Sequence, residues 1–266
     1  MNDIRDEIFK NILHKKFTAK IIAADAGIVS GTVDAKKEAE NIGLEILKWI
    51  DEKSPVKKGD TIAMFSGSPK QIVMAEELVM GHMAKSSGIS TAAKRFVEKC
   101  GDRPKVVSGS WKKMPIGLKE KIRSAVAAGG AAIRISDTPF IYLDKNYIKM
   151  LSGITPSLRA TESMRDRKRV IQIHGNFNDI ASEACEAVRN GADIVFVDTG
   201  EIDDARKVLA ALGENRLRHQ VKIMFAGNIS FEDLDQLKQL DLDFLDVGRA
   251  IVDAPLLDMR MVVEDN

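Results

Sequence analysis

The sequence predicts an α/β protein with an N-terminal α/β sandwich domain and a C-terminal βα barrel of the TIM type, complete or partial. From Lys105 onward, short apolar runs alternate with amphipathic helical segments, which is typical of parallel strands covered by helices. The runs are apolar at successive positions, as strands are when both faces are buried. Several runs end in a polar residue or glycine, which is where barrel enzymes bind their ligands. A doubly wound open sheet is the alternative architecture.

Composition narrows the classes of function. The chain of 266 residues and 29.3 kDa has room for one or two domains, and its 44% hydrophobic and 30% charged residues are ordinary for a soluble enzyme. A net charge of +1 indicates neither a nucleic-acid nor a membrane partner, and no apolar run approaches the length of a membrane span. Cys100 and Cys185 lie far apart and in no CxxC pattern. We therefore expect no structural disulfide, no cysteine zinc site and a cytoplasmic location.

In the N-terminal part, local signals predict several helices. Asp34 is expected to cap a helix that runs to Ile50, because the apolar residues between them share one helical face. Ser68, followed by proline, marks the start of another helix. Gly88 is expected to break that helix, and a further helix runs to Cys100.

We expect the N-terminal domain to span residues 1–104 and the barrel to span residues 105–250, with a tail from about 251 to 266 that packs back on the N-terminal domain. The predicted barrel strands are KVV, AAIRI, RVIQIH, DIVFVD, VKIMFAG and DFLDVG, and the predicted helices are EKIRSAVAAG, DIASEACEAVRNG, EIDDARKVLAALG and FEDLDQLKQL. Because the carboxyl ends of parallel barrel strands lie on one face of the barrel, the residues after these strands are candidates for a ligand site. Strands that simply end where polar loops begin are the alternative interpretation.

Two glycine-containing loops follow late strands of the predicted barrel. Gly227-Asn228 precedes Ser230 and a helix, and Gly248-Arg249 follows the last strand. Glycine lets backbone N–H groups approach an anion, and a helix N-terminus adds its dipole. Loops in these positions hold phosphate in many barrels, so we expect a phosphate there. Ordinary turn glycines with a capping Ser230 are the alternative.

Single polar side chains at strand ends are candidates for chemistry. Asp198 ends DIVFVD, where a carboxylate can bind Mg²⁺ or sugar hydroxyls, or can cap the helix that follows. Arg134 lies inside the apolar run AAIRI, where a buried cation needs a partner or an anion. His174 follows RVIQI and is expected to act as a base or a ligand, or simply to be hydrogen-bonded.

The order of these motifs resembles the quinolinate phosphoribosyltransferase family (nicotinate-nucleotide pyrophosphorylases). In that family, Thr-Arg-Lys-Thr-x-Pro-Gly-x-Arg precedes a helix, and then Gly-Gly-Gly, His-Arg and Lys-Asp-Asn-His follow. The corresponding letters here are SWKKMPIGLK, a helix, GG, Arg134 and DKNY. The family's Ser-Gly-Ile-Ala-Thr corresponds to SGIST, and its Asp-Asn corresponds to Asp198 and Thr199.

The resemblance implies a pentosyltransferase. Its reaction would attach ribose 5-phosphate from phosphoribosyl pyrophosphate to a ring nitrogen and release pyrophosphate, with Mg²⁺ as cofactor. Lys112 and Arg134 would neutralise the departing pyrophosphate, and Asp198 would bind Mg²⁺ or ribose. The residues implied to hold phosphate are Gly227, Asn228, Gly248 and Arg249. The resemblance also implies a homodimer or higher homo-oligomer with a shared active site.

The chain departs from the family where the family's cations bind the carboxylates of quinolinate. Trp111 and Glu77 stand at two family arginines, and Asp144–Tyr147 replaces Lys-Asp-Asn-His. A site without bidentate arginine binds a dianion less well, whereas flat rings can stack on an aromatic ligand. We therefore expect a nitrogen heteroaromatic acceptor with fewer negative charges than quinolinate. The residues expected to contact it are Trp111, Lys113, Lys145, Asn146, Tyr147 and His174. The family's glutamate, in Val-Glu-Val, corresponds to either Gln172 or His174.

Two other functions stay open. The chain could be a non-catalytic relative that binds a nucleotide or another phosphorylated ligand. The changed cations favour this, while the retained Lys112, Arg134 and Asp198 disfavour it. It could also be a barrel lyase or isomerase acting on a sugar phosphate, for which a catalytic lysine inside a strand would be expected. No such lysine is evident, since Lys222 only starts its strand.

Overall fold

The structure is a computed structural model that describes residues 3–264, and these form two compact units. One unit comprises the described residues up to Arg95 together with Trp111–Gly130 and the chain from Ile251 onward. The other comprises Phe96–Ser110 and Ala131–Ala250. The domain ranges given above remain a prediction of the sequence.

The helices of the described chain are α1 (Ile4–Ile8), α2 (Thr32–Asn41), α3 (Pro69–Leu78), α4 (Met80–Cys100), α5 (Ile116–Ala128), α6 (Lys145–Met150), α7 (Ile154–Arg159), α8 (Ile180–Arg189), α9 (Ile202–Glu214), α10 (Leu234–Leu237) and α11 (Arg249–Val252). The strands are β1 (Phe17–Ala23), β2 (Gly27–Ile28), β3 (Glu45–Trp49), β4 (Pro55–Val56), β5 (Thr61–Gly67), β6 (Lys105–Val107), β7 (Phe140–Leu143), β8 (Lys168–Ile173), β9 (Ile194–Val197), β10 (Lys222–Ala226), β11 (Phe244–Asp246) and β12 (Met259–Val263). Short 3₁₀ turns cover Ser110–Lys113 and Arg218–Gln220. Among residues 3–264, no helix combines the length and the apolar character that crossing a membrane requires.

The first unit is built on an antiparallel sheet with strand order β12-β1-β5-β3. Strand β12 pairs with β1 and forms one edge of this sheet. Alternate residues of β1 are buried, among them Ala19 and Ile21, which leaves one face for a core. Helices cover that face with apolar side chains such as Ala39, Ile72 and Met83.

The predicted helix from Asp34 to Ile50 is wrong in its second half. Helix α2 ends at Asn41, Gly43 follows with φ of +81°, and the next residues form β3. β3 pairs with β5 on both sides of a register shift between Ile46 and Lys48, and tertiary pairing of this kind overrides a weak helical periodicity.

The N-terminus of α2 is capped from a distance by Glu52 and not by Asp34. The Glu52 carboxylate accepts hydrogen bonds from the backbone N–H groups of Gly31 and Thr32, at 3.0 and 2.9 Å. Burial acts to raise the pKa of Glu52, but hydrogen bonds from the Ser30 and Thr32 hydroxyls and from these N–H groups outweigh it and lower the pKa. The carboxylate therefore stays ionised and holds the helix start.

Helix α4 runs without interruption through Gly88, where a break was predicted. A Cβ atom at this position would lie 1.9 Å from the carbonyl oxygen of Pro255. Glycine therefore serves close approach of the C-terminal segment to the helix and does not end the helix. Leu257 adds a hydrogen bond from its N–H group to the carbonyl of Ala84 at 3.0 Å.

The second unit contains a parallel sheet with strand order β6-β11-β10-β9-β8-β7. Each strand from β7 to β11 lies beside its successor, and β6 pairs with the last of them. A doubly wound sheet would reverse direction at a switch point, and this order does not. An isolated bridge between Val107 and Ala132 continues the sheet beyond β6. The predicted βα barrel is therefore confirmed in a barrel-like form.

Alternation along these strands separates an inner face from an outer face. The inner cluster contains Val170, Phe196, Met224, Tyr142 and other residues two positions apart on their strands. The intervening residues, such as Ile171 and Val195, are also buried. Burial of both faces explains why these runs are apolar at successive positions.

Two local expectations fail in this unit. The run AAIRI forms a single bridge at Ala132 rather than a strand, and β7 forms farther along the chain. The helix predicted for FEDLDQLKQL is limited to α10, because Ser230 and Asp233 hydrogen-bond each other in a turn at its start. Such turns are short-range competitors of regular structure.

We predict that Gly88→Ala lowers the free energy of unfolding by about 1–3 kcal/mol, the usual cost of overpacking. The physical reason is the contact with the backbone of Pro255. The measurement is urea denaturation followed by circular dichroism. Gly81→Ala, in the same helix but with no atom within 4 Å of its Cβ position, serves as the matched control. It should stay within about 0.5 kcal/mol of the native chain, and an equal loss in both variants would contradict the packing explanation.

Candidate active site

The carboxyl ends of β8 and β9 bring two polar side chains into direct contact. Gln172, buried inside β8, donates a hydrogen bond from its amide Nε2 to the Asp198 carboxylate, which follows β9. The amide oxygen of Gln172 accepts a hydrogen bond from the backbone N–H of Lys145 at 2.9 Å. Both ends of the amide are used, so the orientation of the Asp198 carboxylate is fixed.

Asp198 does not cap the helix that follows it. Helix α9 has Glu201 at its N-cap position, without a side-chain cap, and the N–H of Glu201 donates to the Thr199 hydroxyl at 3.2 Å. The helix-cap alternative for Asp198 is therefore wrong. Asp198 Oδ1 makes no hydrogen bond to any residue of the range 3–264, so it is available to a ligand.

Carboxylates surround Tyr142 on the inner face of the barrel. Burial raises the pKa of the Tyr142 phenol, and the charges of Asp198, Asp246 and Asp144 raise it further. The phenol is therefore neutral at physiological pH. Tyr142 and Asp246 were not predicted as site residues, although both continue the inward alternation of their strands, after Phe140 and Phe244. That alternation is the signal that would have found them.

The glycine-containing loops do bring backbone groups together. Gly227 has φ of +116°, and a Cβ atom there would lie 2.3 Å from the nitrogen of Gly200. A Cβ atom at Gly248 would likewise lie 2.3 Å from the Ser110 hydroxyl. Asn228 has φ of +50°, a left-handed conformation that asparagine tolerates. A side chain at Gly227 would thus not fit between the loops after β9 and β10, and one at Gly248 would not fit between the loops after β11 and β6.

The helix-dipole contribution at the predicted anion site is small. Helices α10 and α11, which follow the two loops, are each 4 residues long, and one turn adds little macrodipole. Ser230 acts in the turn before α10, where its hydroxyl bonds Asp233 at 2.8 Å. Ser230 therefore stabilises this turn and does not cap α10, whose N-cap residue is Asp233. Arg249 is the first residue of α11 and is exposed.

The loop after β8 depends on Glu183, which sequence reasoning did not select. Its carboxylate is 1% exposed and accepts hydrogen bonds from the N–H groups of His174, Gly175 and Phe177 at 3.2, 2.8 and 2.8 Å. An acidic residue on the apolar face of α8 is the sequence signal for such a role. The His174 side chain is half-buried and shares a cavity of about 20 Å³ with Lys145 and Gln172.

Other predicted residues lie on the surface of this unit. Arg134 is exposed in a bend after the bridge at Ala132 and makes no hydrogen bond or ion pair to any residue of the described range 3–264. Arg134 was expected to need a partner or an anion because it would be buried in a strand, and this expectation is wrong. Lys145, Asn146 and Tyr147 form the first turn of α6 and are exposed.

Trp111, Lys112 and Lys113 lie in the 3₁₀ turn after β6, within the segment that belongs to the first unit. The Arg123 guanidinium stacks over the Trp111 ring, 4.8 Å from its centroid, and the two lysines are exposed. In the same unit, Glu77 forms an ion pair with Arg5 at 2.6 Å.

Comparison with known proteins identifies the family. The model of the N-terminal domain of quinolinate phosphoribosyl transferase matches residues 3–87, and that of its C-terminal domain matches residues 89–262. The chain belongs to the quinolinate phosphoribosyltransferase family. Membership confirms the predicted family and the class of enzyme, a pentosyltransferase, and removes the alternative of an unrelated barrel lyase or isomerase.

Relatives match over nearly the whole chain. A probable carboxylating nicotinate-nucleotide pyrophosphorylase from Archaeoglobus fulgidus is 25% identical over 94% of this chain and 95% of its own length. The human carboxylating nicotinate-nucleotide pyrophosphorylase is 22% identical over 91% of this chain and 81% of its own length. The crystal structure of nicotinate-nucleotide pyrophosphorylase from Ehrlichia chaffeensis has a TM-score of 0.83 at 16% identity and covers 98% of this chain and 92% of that one. This likeness supports the fold.

We predict that Gln172→Glu makes stability fall as pH rises. A second carboxylate beside Asp198 raises the pKa of the pair in the folded state, so the folded state binds more protons than the unfolded state. The decrease in the free energy of unfolding begins near the ordinary glutamate pKa of about 4.3 and grows by about 1.4 kcal/mol for every pH unit. It levels off once the pH exceeds the raised pKa. Urea denaturation between about pH 4.5 and pH 8 measures it. The control Gln172→Met, which adds no charge, should show no such slope, and equal slopes would refute the proximity of the two groups.

Proposed function

We propose that this enzyme transfers ribose 5-phosphate from phosphoribosyl pyrophosphate to the ring nitrogen of a heteroaromatic acid and releases pyrophosphate. The observation that carries the proposal is the Gln172–Asp198 pair at the carboxyl ends of β8 and β9. A carboxylate with one fixed oxygen and one available oxygen suits the vicinal hydroxyls of a ribose. It also suits the positive charge that develops on the sugar as pyrophosphate leaves.

Each nearby group supplies positioning or charge. Gln172 holds the Asp198 carboxylate and ties it to the backbone of Lys145. Gly200 and Gly227 pack against each other, and the Gly200 N–H already donates to the carbonyl of Ala226 at 3.0 Å, so the phosphate contact expected at Gly227 stays a prediction of the sequence. Arg134, exposed and without an ion pair among residues 3–264, is available to neutralise pyrophosphate. No covalent nucleophile is required, since departure of pyrophosphate with the bonding electrons leaves an oxocarbenium-like sugar that the ring nitrogen attacks.

Magnesium fits this site as a partner of the substrate. No group of at least three His, Cys, Asp or Glu side chains in the described range could hold a metal by itself. Mg²⁺ keeps several waters and is commonly held by one or two carboxylates together with substrate phosphates. Asp198 would hold it, supported by the negative potential of Asp144 and Asp246 around Tyr142. When bound, the ion would neutralise charge on the pyrophosphate.

The acceptor is proposed from two lines of evidence. The family description and the name of a tobacco relative, a decarboxylating quinolinate phosphoribosyltransferase, make quinolinate the first acceptor to test. The replacement of family cations by Trp111, Glu77 and Asp144 favours an acceptor with fewer carboxylates. The contacts of Trp111, Lys112 and Lys113 with substrate, and a shared site in a homo-oligomer, stay predictions of the sequence.

We predict that Asp198→Asn lowers the kcat/KM of transfer by about 10²-fold or more, the usual effect of removing a group that stabilises transition-state charge. Calorimetric titration with phosphoribosyl pyrophosphate and Mg²⁺ accompanies the rate measurement. The control Asp204→Asn changes a carboxylate on α9 that pairs with Lys207 at 3.0 Å, and should leave the rate unchanged. Native enzyme that binds the donor but turns over no acceptor would support the non-catalytic alternative. Absence of phosphoribosyl pyrophosphate binding would refute the transferase proposal.

We predict that the native enzyme uses a pyridine monocarboxylate with a higher kcat/KM than quinolinate, a dicarboxylate. Trp111→Arg restores the family's cation and should shift this ratio toward quinolinate by about tenfold, since a charge-assisted hydrogen bond contributes about 1.5–3 kcal/mol. Pyrophosphate release with each acceptor is the measurement. Preference for quinolinate in the native enzyme, unchanged by the substitution, would overturn the altered acceptor and leave the transferase intact.

A further inference from the structure

A large cavity opens at the end of the barrel opposite the candidate active site. Its volume is about 960 Å³, and it is lined by the amino ends of β6, β8, β10 and β11 together with the loop Ile135–Thr138. Ligand cavities in proteins are commonly about 300–1,000 Å³. The function proposed above uses only the carboxyl ends of the strands, so it gives this cavity no role.

Three lysines point into the cavity because of strand alternation. Lys105, Lys168 and Lys222 each begin a strand, two residues before a member of the inner core cluster: Val107, Val170 or Met224. They therefore share the inward face, and side chains from alternate barrel strands form one layer. Barrel layers are usually filled by branched apolar side chains. Here the bottom layer consists of cations around an apolar floor of Ile135, Ile194 and Phe244.

Two of these lysines are left without an internal counter-ion. Lys222 pairs with Asp243 at 3.0 Å, and the same carboxylate accepts from Arg103 and Arg218 at 3.1 and 2.9 Å. Lys105 and Lys168 are exposed, and neither side chain makes a hydrogen bond or ion pair to any residue between 3 and 264. Those two ammonium groups are therefore available to an external anion.

The basic character extends beyond the cavity. A second cavity of about 880 Å³ shares Thr138, Lys168 and Asp193 with the first and is lined by further arginines. The two cavities together carry eleven Lys and Arg against six Asp and Glu, although the formal net charge of the whole chain is only +1. Positive charge is thus concentrated at this end of the barrel, and concave surfaces of one sign attract ligands of the other.

We propose that this cavity binds a small organic polyanion, with phosphate or carboxylate groups at Lys105 and Lys168 and an apolar body on the floor formed by Ile135, Ile194 and Phe244. The concave shape and the apolar floor favour a small molecule over a nucleic-acid strand. The site is separate from the candidate active site and does not rest on the transferase activity.

Site-resolved lysine acetylation of the full chain, read by mass spectrometry, tests the proposal with inorganic tripolyphosphate as the probe. We expect tripolyphosphate to protect Lys105 and Lys168 from the reagent, including in Arg134→Ala, which lacks the cation proposed to neutralise pyrophosphate at the candidate active site. Lys36 and Lys37 on α2, which line neither cavity, should label at an unchanged rate. Protection that disappears in Arg134→Ala would assign the effect to the active site and overturn the proposal.

Calorimetry of a double variant provides the second measurement. Lys105→Ala with Lys168→Ala should weaken tripolyphosphate binding about tenfold or more, because each lost charge-assisted contact costs at least that factor. The matched control, Lys36→Ala with Lys37→Ala, removes the same charge elsewhere and should bind like the native chain. Equal weakening in both variants would indicate a general charge effect and refute the site. Protection of Lys105 and Lys168 by a short single-stranded RNA, with none by tripolyphosphate, would also refute it.

Discussion

The alternation of side chains along six parallel strands is the constraint on which the rest of this structure depends. When one residue of a strand points to the inner face, the residues two positions away point to the same face. Val170 therefore requires Gln172 to face inward, and Phe196 sets the direction of Asp198. Because the strands are parallel and in register, these side chains meet at one end of the barrel.

The same rule places charge at both ends of one apolar core. Acidic and amide side chains extend the inner face at the carboxyl ends, where Asp198, Asp246 and Gln172 lie. Lysines extend it at the amino ends. An apolar core between two polar layers keeps the charges apart, so each end can bind ligands of its own kind. Carboxylates suit hydroxyls and a metal ion, whereas ammonium groups suit anions.

Distant groups, rather than neighbours in sequence, complete several local features. Glu52 caps α2 across a turn and a strand, and Glu183 holds the backbone of the loop that carries His174. Gly88 in helix α4 allows the C-terminal segment to approach the helix closely. Each of these was missed or misread from sequence, because local propensity contains no information about which distant backbone arrives.

The sequence by itself determined the family, the barrel-like fold and five of the six strands of its sheet, β6 and β8 to β11, because burial on both faces leaves an apolar run that is visible without a structure. It also made Asp198 a candidate site residue, since a carboxylate directly after such a run can bind a metal ion or sugar hydroxyls, or can cap the next helix. Only the tertiary structure decided that Gln172 holds that carboxylate, that Arg134 is exposed, and that the lysines of three strands share one cavity. These facts depend on the register between strands far apart in the chain, which composition and periodicity do not encode.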